Sequence, residues 1–276
     1  MSYQAVKTVS IRKFNGADAS EQPDVLAVEE PLEIRLEYGP AVERSTKSLS
    51  VTMRTPGADE DLARGFLFTE GIVREASDIV GVHAQPFSNI LTVVLRSELH
   101  FEPGKLERHF YTTSSCGVCG KTSIEAVKTT ANCATVSEKR HWEIRPDIVY
   151  SLPDTLRQAQ RTFDATGGLH ASALFDPEGN LLAIREDVGR HNALDKLIGH
   201  YLGQSIMPLD HHILLLSGRA SFELLQKAAM AGMQVVCAVG APSSLAVETA
   251  ESFGITLIGF LRDNRFNVYA GGELVS

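Results

Sequence analysis

The sequence predicts an α/β protein in two parts, a small N-terminal α+β unit followed by a larger C-terminal unit on a mixed, largely parallel sheet. Three observations predict it. From Pro31 to about Arg96 apolar and polar residues alternate at strand period around one helical stretch. Between Ser97 and Pro146 apolar density falls and small polar and charged residues take over. Beyond Leu169, three short apolar runs alternate with amphipathic helical stretches. The expected division is therefore 1–146 and 147–276.

In the first part, PLEIRLEYG from Pro31 and SLSVTMRT from Ser48 read as half-buried strands. DEDLARGFLFTEG carries Leu62, Phe66 and Leu67 at helical spacing before a glycine stop, and ILTVVL from Ile90 is a buried strand. The stretch from Ser97 to Pro146 reads as a long connection, part of it mobile, with a cysteine pair in a loop at about 110–122. In the second part Leu169–Phe175, the turn Asp176-Pro177-Glu178-Gly179 and Leu181–Ile184 give a β-hairpin signal, and a helix is expected from about Val188 to Leu202. The apolar runs Ile213–Leu216, Val235–Val239 and Ile255–Phe260 then alternate with helices at Phe222–Ala231 and Leu245–Phe253, closed by Gly232 and Gly254. Strands apolar on both faces imply a sheet covered on both sides.

Composition excludes several classes of function. A chain of 276 residues with 43% hydrophobic content buries a real core, so disorder and small disulfide scaffolds are out. A net charge of −8 offers no footprint for a polyanion, and nucleic acid is not an expected partner. Four cysteines, two of them in one tight pair, fit a reducing compartment, and the cytoplasm is the expected location. No apolar run is long enough for export or for spanning a membrane, so no membrane partner is expected.

The order of elements gathers the ends of the parallel strands along one edge, where open α/β sheets bind ligands. There the sequence places Ser217-Gly218-Arg219-Ala220-Ser221, Gly240-Ala241-Pro242-Ser243-Ser244 and Leu261-Arg262-Asp263-Asn264-Arg265. Small residues let backbone approach a guest, helix N-termini present free N–H groups, and Arg219, Arg262 and Arg265 add forked donors suited to phosphate. Each turn alone is equally an ordinary strand-to-helix turn with a serine cap; three on one edge favour a pocket for phosphate or pyrophosphate. A second cluster is Glu186-Asp187-Val188-Gly189-Arg190-His191, followed by Asn192, Asp195 and Lys196. Asp187 is placed to cap the helix, and His191 and Asp195, four apart on one face, are able to hydrogen-bond and fix the imidazole for an acid–base role; a solvated i,i+4 pair explains the same spacing equally well. No zinc deaminase ligand pattern is present in this half. Cys237 reads as a core thiol, and Cys133 has no clear role.

The strongest chemical signature of the first half is Ser114-Ser115-Cys116-Gly117-Val118-Cys119-Gly120-Lys121. Thiols at this spacing share a metal, form a disulfide or hand sulfur from one to the other, and the glycines free the loop to move. Thr122 and Glu125 form a capping-box pattern, so a helix is expected just after, its N-terminus and Lys121 favouring thiolate. A zinc knuckle completed by Cys133 and His141 is a poor match to usual ligand spacings, and a thioredoxin-like pair would open a helix straight after a strand.

Seven stretches carry a family resemblance: RGFLFTEGIV (Arg64–Val73), SSCGVCGK (Ser114–Lys121), GGLHASALF (Gly167–Phe175), REDVGRHNALDKLIG (Arg185–Gly199), SGRASFELLQKAAMAG (Ser217–Gly232), SSLAVETAE (Ser243–Glu251) and TLIGFLRDNRFNVY (Thr256–Tyr269). They resemble the FdhD/NarQ family, the formate dehydrogenase accessory sulfurtransferases. The resemblance implies a cytoplasmic sulfur carrier that takes sulfur from an IscS-type cysteine desulfurase. It passes that sulfur to the molybdenum of the Mo-bis(molybdopterin guanine dinucleotide) cofactor before insertion into formate dehydrogenase. By the same analogy Cys116 carries the persulfide and Cys119 assists. Phe260, Leu261, Arg262, Asp263, Asn264 and Arg265 hold the guanine nucleotide end, a place a GDP-like nucleotide can also occupy. Ser217, Arg219, Ser221, His191 and Asp195 complete the expected site, His191 and Asp195 as orienting groups. The resemblance further implies a homodimer, and a C-terminal domain similar to the three-layer cytidine deaminase fold without its zinc. Leu261-Arg262-Asp263-Asn264 lacks the glycine that relatives often have there. The competing reading is a zinc-stabilised guanine-nucleotide-binding module without sulfur transfer.

Overall fold

The structure, a computed structural model, describes residues 5–99 and 142–276. The cysteine pair, the helix expected after it, Cys133 and His141 lie outside the described residues. The chain opens with a two-stranded hairpin that the sequence pattern does not predict, β1 (Val6–Asn15) against β2 (Asp18–Ala27), closed through Gly16 at φ +60°. Most of its side chains are exposed on both faces, which is why no apolar alternation announces it.

β3 (Glu30–Tyr38), β4 (Ser45–Arg54), β5 (Ile79–Ala84) and β6 (Ile90–Leu95) form a four-stranded sheet in the order β4-β3-β6-β5. β3 and β6 run parallel and the other pairs antiparallel. Leu32, Ile34 and Leu36 of β3 and Leu91, Val93 and Leu95 of β6 are buried on one face, as the alternation requires. α1 (Asp59–Thr69) joins that core through Leu62, Ala63 and Leu67. Its first turn is anchored by Arg54, fully buried, whose guanidinium grips both oxygens of Asp59 at 3.1 and 2.9 Å.

The second part is a three-layer unit. α2 (Pro146–Ala159) and the short α3 (Arg161–Thr166) precede the hairpin β7 (His170–Phe175) and β8 (Leu181–Asp187), and α4 (Arg190–Gly203) follows. β9 (Ile213–Leu216), α5 (Phe222–Met230), β10 (Val235–Ala238), α6 (Ser244–Phe253) and β11 (Thr256–Arg262) then alternate as expected, before a last strand, β12 (Arg265–Ala270). The six strands lie in the order β12-β11-β10-β9-β7-β8. β9, β10 and β11 are parallel and their flanking neighbours antiparallel, so the sheet is mixed. Its side chains divide by strand alternation. Leu214, Leu216, Val236 and Leu257 pack with α4, α5 and α6, whereas Ile213, Leu215, Val235, Cys237 and Ile258 pack with Val149, Leu152 and Leu156 of α2. Both crossover helices therefore lie on one face, and α2 covers the other. Cys237 is a core thiol, its pKa pushed up to about 12 by burial.

One apolar cluster runs from the four-stranded sheet through α1 and α4 to the helical face of the six-stranded sheet. It is continuous because α1 and α4 cross with their backbones in contact. A Cβ on Gly65 would lie 1.8 Å from the Asp195 carbonyl oxygen, and one on Gly199 would lie 1.9 Å from that of Asp61. Each clash is with helix backbone, which has nowhere to move. Gly65→Ala and Gly199→Ala are each expected to lower stability by about 3 kcal/mol or more in chemical denaturation; unchanged midpoints would refute so close a crossing.

Candidate site at the strand edge

The segments that leave β9 and β10 and the end of β11 meet side by side. The Gly240 N–H donates to the Gly218 carbonyl and the Phe260 N–H to the Gly240 carbonyl, both at 3.0 Å. The Ala220 N–H donates to Ala241 at 3.2 Å and the Ser243 N–H to Ala220 at 3.0 Å. Gly240 permits this approach: a Cβ there would stand 3.1 Å from the Arg219 nitrogen and the Gly218 carbonyl. The edge is thus a backbone-bonded ledge, and Arg219, Arg262 and Arg265 are all exposed along it.

The serines take different roles. Ser217 belongs to the scaffold, because its hydroxyl accepts the Ala171 N–H at 2.8 Å. Ser243 caps α6 by accepting the Ala246 N–H at 3.2 Å. Ser221 is the N-cap residue of α5 but makes no side-chain cap bond, and its Oγ is buried without a partner among the described residues.

The stretch Phe260–Arg265 is a strand end, a tight turn and a strand start. Arg262 and Arg265 are register partners across the mouth of the β11–β12 hairpin, and Asp263 and Asn264 form its two-residue turn at φ 53° and 50°. Two left-handed residues in succession suit a type I′ turn, a conformation glycine adopts freely and Asp and Asn tolerate. This accounts for a turn at this point without glycine. Leu261 points into the core at 1% exposure and offers its side chain to no guest. The Arg262 guanidinium lies over the Phe260 ring, 5.9 Å from its centroid, and Arg265 stands 3.7 Å from the Asp263 carboxylate.

The His191–Asp195 hydrogen bond that the spacing allows is not formed, and Asp195 is paired elsewhere. Asp195 is 2% exposed and accepts from Lys227 Nζ with both oxygens at 2.9 Å and from Thr69 Oγ1 at 2.9 Å. Lys227 Nζ also donates to Thr69 Oγ1 at 2.9 Å. Burial pushes the Asp195 carboxyl up, and Lys227 and Thr69 hold it back. A carboxylate in this position chooses the nearby ammonium over a neutral imidazole. Asp195 therefore ties α1, α4 and α5 together and does not orient His191.

Asp187 also departs from the simple cap. The N-cap of α4 is Gly189, and Asp187 accepts its N–H at 2.8 Å, the Asn192 amide at 3.2 Å and the Thr55 N–H at 3.1 Å, while pairing with Lys196 at 2.6 Å. Lys196 in turn donates to the Thr55 carbonyl and Asn192 to that of Met53, both at 2.8 Å. Asp187, Asn192 and Lys196 of DVGRHNALDK thus fasten the turn between β4 and α1. Lys227, Thr69 and Thr55 are not among the residues the sequence singles out. The available signal is a lysine set among Leu224, Leu225, Ala228 and Ala229, on a helix whose burial otherwise admits mainly apolar groups.

These features define a class, a three-layer α/β unit with an arginine-bearing strand edge, locked to a small α+β unit by a buried helix crossing. The chain belongs to the FdhD/NarQ family, whose model matches residues 27–276. It is 51% identical to the sulfur carrier protein FdhD of Streptomyces avermitilis, across 96% of this chain and 94% of that one. It is 45% identical to that of Mycobacterium tuberculosis, across 96% and 97%. It also shares its fold with a crystal structure from Desulfotalea psychrophila described as a candidate formate dehydrogenase accessory protein. That match has a TM-score of 0.75 at 20% identity, over 99% of this chain and 100% of the other. Among the described residues no helix is long and apolar enough to cross a membrane.

Removing one partner of the buried pair leaves the other charge stranded. Lys227→Met is expected to lose about 3–5 kcal/mol of stability, and the double change Asp195→Asn with Lys227→Met to recover most of it. Denaturant titration of both variants checks this; additive losses would show that the pair is not coupled.

Proposed function

We propose that this protein is a sulfur carrier for formate dehydrogenase. It receives sulfur as a persulfide on Cys116 from a cysteine desulfurase. It hands that sulfur to the molybdenum of a bis(molybdopterin guanine dinucleotide) cofactor, held as cargo by its nucleotide end at the strand edge. The observation that carries the reading is the ledge itself, the segments after β9 and β10 and the end of β11 joined backbone to backbone, with Arg219, Arg262 and Arg265 exposed. Family membership and relatives named as sulfur carriers support the role.

The transfer follows from thiol chemistry. Cys119 thiolate attacks Sγ of the Cys116 persulfide, the bond to the outer sulfur breaks, and a Cys116–Cys119 disulfide forms. The outer sulfur leaves with the electron pair as hydrosulfide and replaces an oxygen ligand of the metal, which departs as hydroxide. A thiol reductant then reopens the disulfide. Clamping pyrophosphate at the edge leaves the metal end free, so the protein's contribution is proximity.

Two experiments test the reading. Incubation with a cysteine desulfurase and cysteine is expected to add the mass of sulfur to the Cys116 peptide and not to that of a Cys116→Ala variant; an adduct that persists in the variant rejects the assignment. Arg265→Ala is expected to weaken GDP binding about tenfold, the loss of one charge-assisted contact, whereas Lys7→Ala on β1 leaves it unchanged. Equal affinities in calorimetry would remove Arg265 from the site.

A further inference from the structure

The hairpin of β1 and β2 takes no part in the strand edge, and it sorts its charges by strand. β1, VKTVSIRKFN, carries Lys7, Arg12 and Lys13 and no acid, whereas β2, DASEQPDVLA, carries Asp18, Glu21 and Asp24 and no base. The three basic residues are exposed. None of them makes an ion pair among the described residues, although Arg12 stands opposite Glu21 in the register. The Arg12 guanidinium turns instead over the exposed Phe14 ring, 5.4 Å from its centroid.

The two edges of the hairpin differ. Gly16 and Ala17 form its turn, so Asn15 and Asp18 are the first bonded pair, and every second pair is bonded from there. The Val28 N–H donates to the Ala5 carbonyl at 2.8 Å, which continues the same odd-numbered set. Val6, Thr8, Ser10, Arg12 and Phe14 therefore turn their backbone N–H and C=O groups away from β2, toward no other strand among the described residues. On the far side Pro23, opposite Ser10, removes an outward N–H from the middle of the β2 edge, and β2 packs against α3. One edge is interrupted by proline, and the other is an intact ladder.

We propose that the outer edge of β1 is a docking site for a partner protein, which adds an extended acidic segment to the hairpin as a third strand. A two-stranded ribbon is marginally stable and gains from a third strand, whose backbone supplies the attachment. Charge selects what attaches. Acidic side chains opposite Lys7, Arg12 and Lys13 meet cations that no residue of β2 engages. A second copy of this chain does not match: β1 against β1 sets basic charge only against basic charge, and β1 against the β2 edge meets Pro23. The surface is separate from the sulfur and nucleotide chemistry proposed above, and neither reading depends on the other.

The probe is a fluorescent ten-residue peptide of alternating threonine and valine, with glutamate at the places opposite Lys7, Arg12 and Lys13 in an antiparallel ladder. Anisotropy is expected to show it binding the full chain, with affinity falling as salt rises. The triple change Lys7→Glu, Arg12→Glu and Lys13→Glu is expected to weaken it about tenfold, the combined effect of three exposed ion pairs. Ser10→Pro is expected to abolish binding, because it removes an outward N–H and leaves the bonds to β2 in place. Two control peptides need no change in the protein: one with lysine for glutamate and one N-methylated along its bonded side are both expected not to bind. Failure of the glutamate peptide to bind at millimolar concentration, or equal affinity of the lysine peptide, overturns the proposal. Binding that survives Ser10→Pro overturns it too. So does a sedimentation mass that halves in Ser10→Pro, which assigns the edge to a second copy.

Discussion

The contact of α1 with α4 sets the positions of everything described above. With Gly65 and Gly199 interlocked, no side chain separates the two helices, and their relative placement is fixed by backbone atoms rather than by adjustable packing. Thr69 at the end of α1 and Asp195 on α4 are thereby brought together with Lys227 of α5. An ion pair at such depth is costly to form, and the hydroxyl of Thr69 reduces that cost by bonding both partners. What the pair supplies is registry among three helices.

The residues of α4 divide their roles by their positions around the helix. Asn192 and Lys196, four apart, face the turn between β4 and α1 and hold it through Met53 and Thr55. His191 and Asp195, also four apart, face α5 instead. Asn192 and Lys196 therefore hold the turn that leads into α1, while Asp195 joins the end of α1 to α5 through Thr69 and Lys227. His191 Nε2 is left unpaired because its natural carboxylate partner is committed elsewhere, and Glu223 stops short of it.

Sequence period makes the strands and crossover helices legible wherever one element buries a regular face. PLEIRLEY, ILTVVL and the three apolar runs are such cases, and the edge follows from their order. The elements that escape bury little or depend on partners distant in sequence. β1 and β2 are exposed on both faces, so their alternation carries no apolar signal. β12 pairs only along the sheet edge, and its start reads as loop because Arg262 to Arg265 is polar. The His191–Asp195 pairing is a fair inference from i,i+4 spacing, and it loses to a lysine that reaches Asp195 from another helix. Close approach at Gly65 is equally invisible locally, since a glycine within a helix suggests weakness until its neighbour is known.

The rim arginines stand on a constrained backbone. Phe260 adopts φ 53°, a costly conformation for a bulky residue, and it persists because its N–H is bonded to the Gly240 carbonyl and Leu261 is sealed in the core. The sheet register shifts here, between Gly259 and Arg262, and such a shift redirects the strand that carries it. Arg262 and Arg265 consequently project from a paired hairpin rather than from a free loop, which lowers the ordering cost of the binding proposed for them. A flexible glycine turn would hold the same charges at a greater entropic cost; Asp263 and Asn264 achieve the turn with side chains that restrict it.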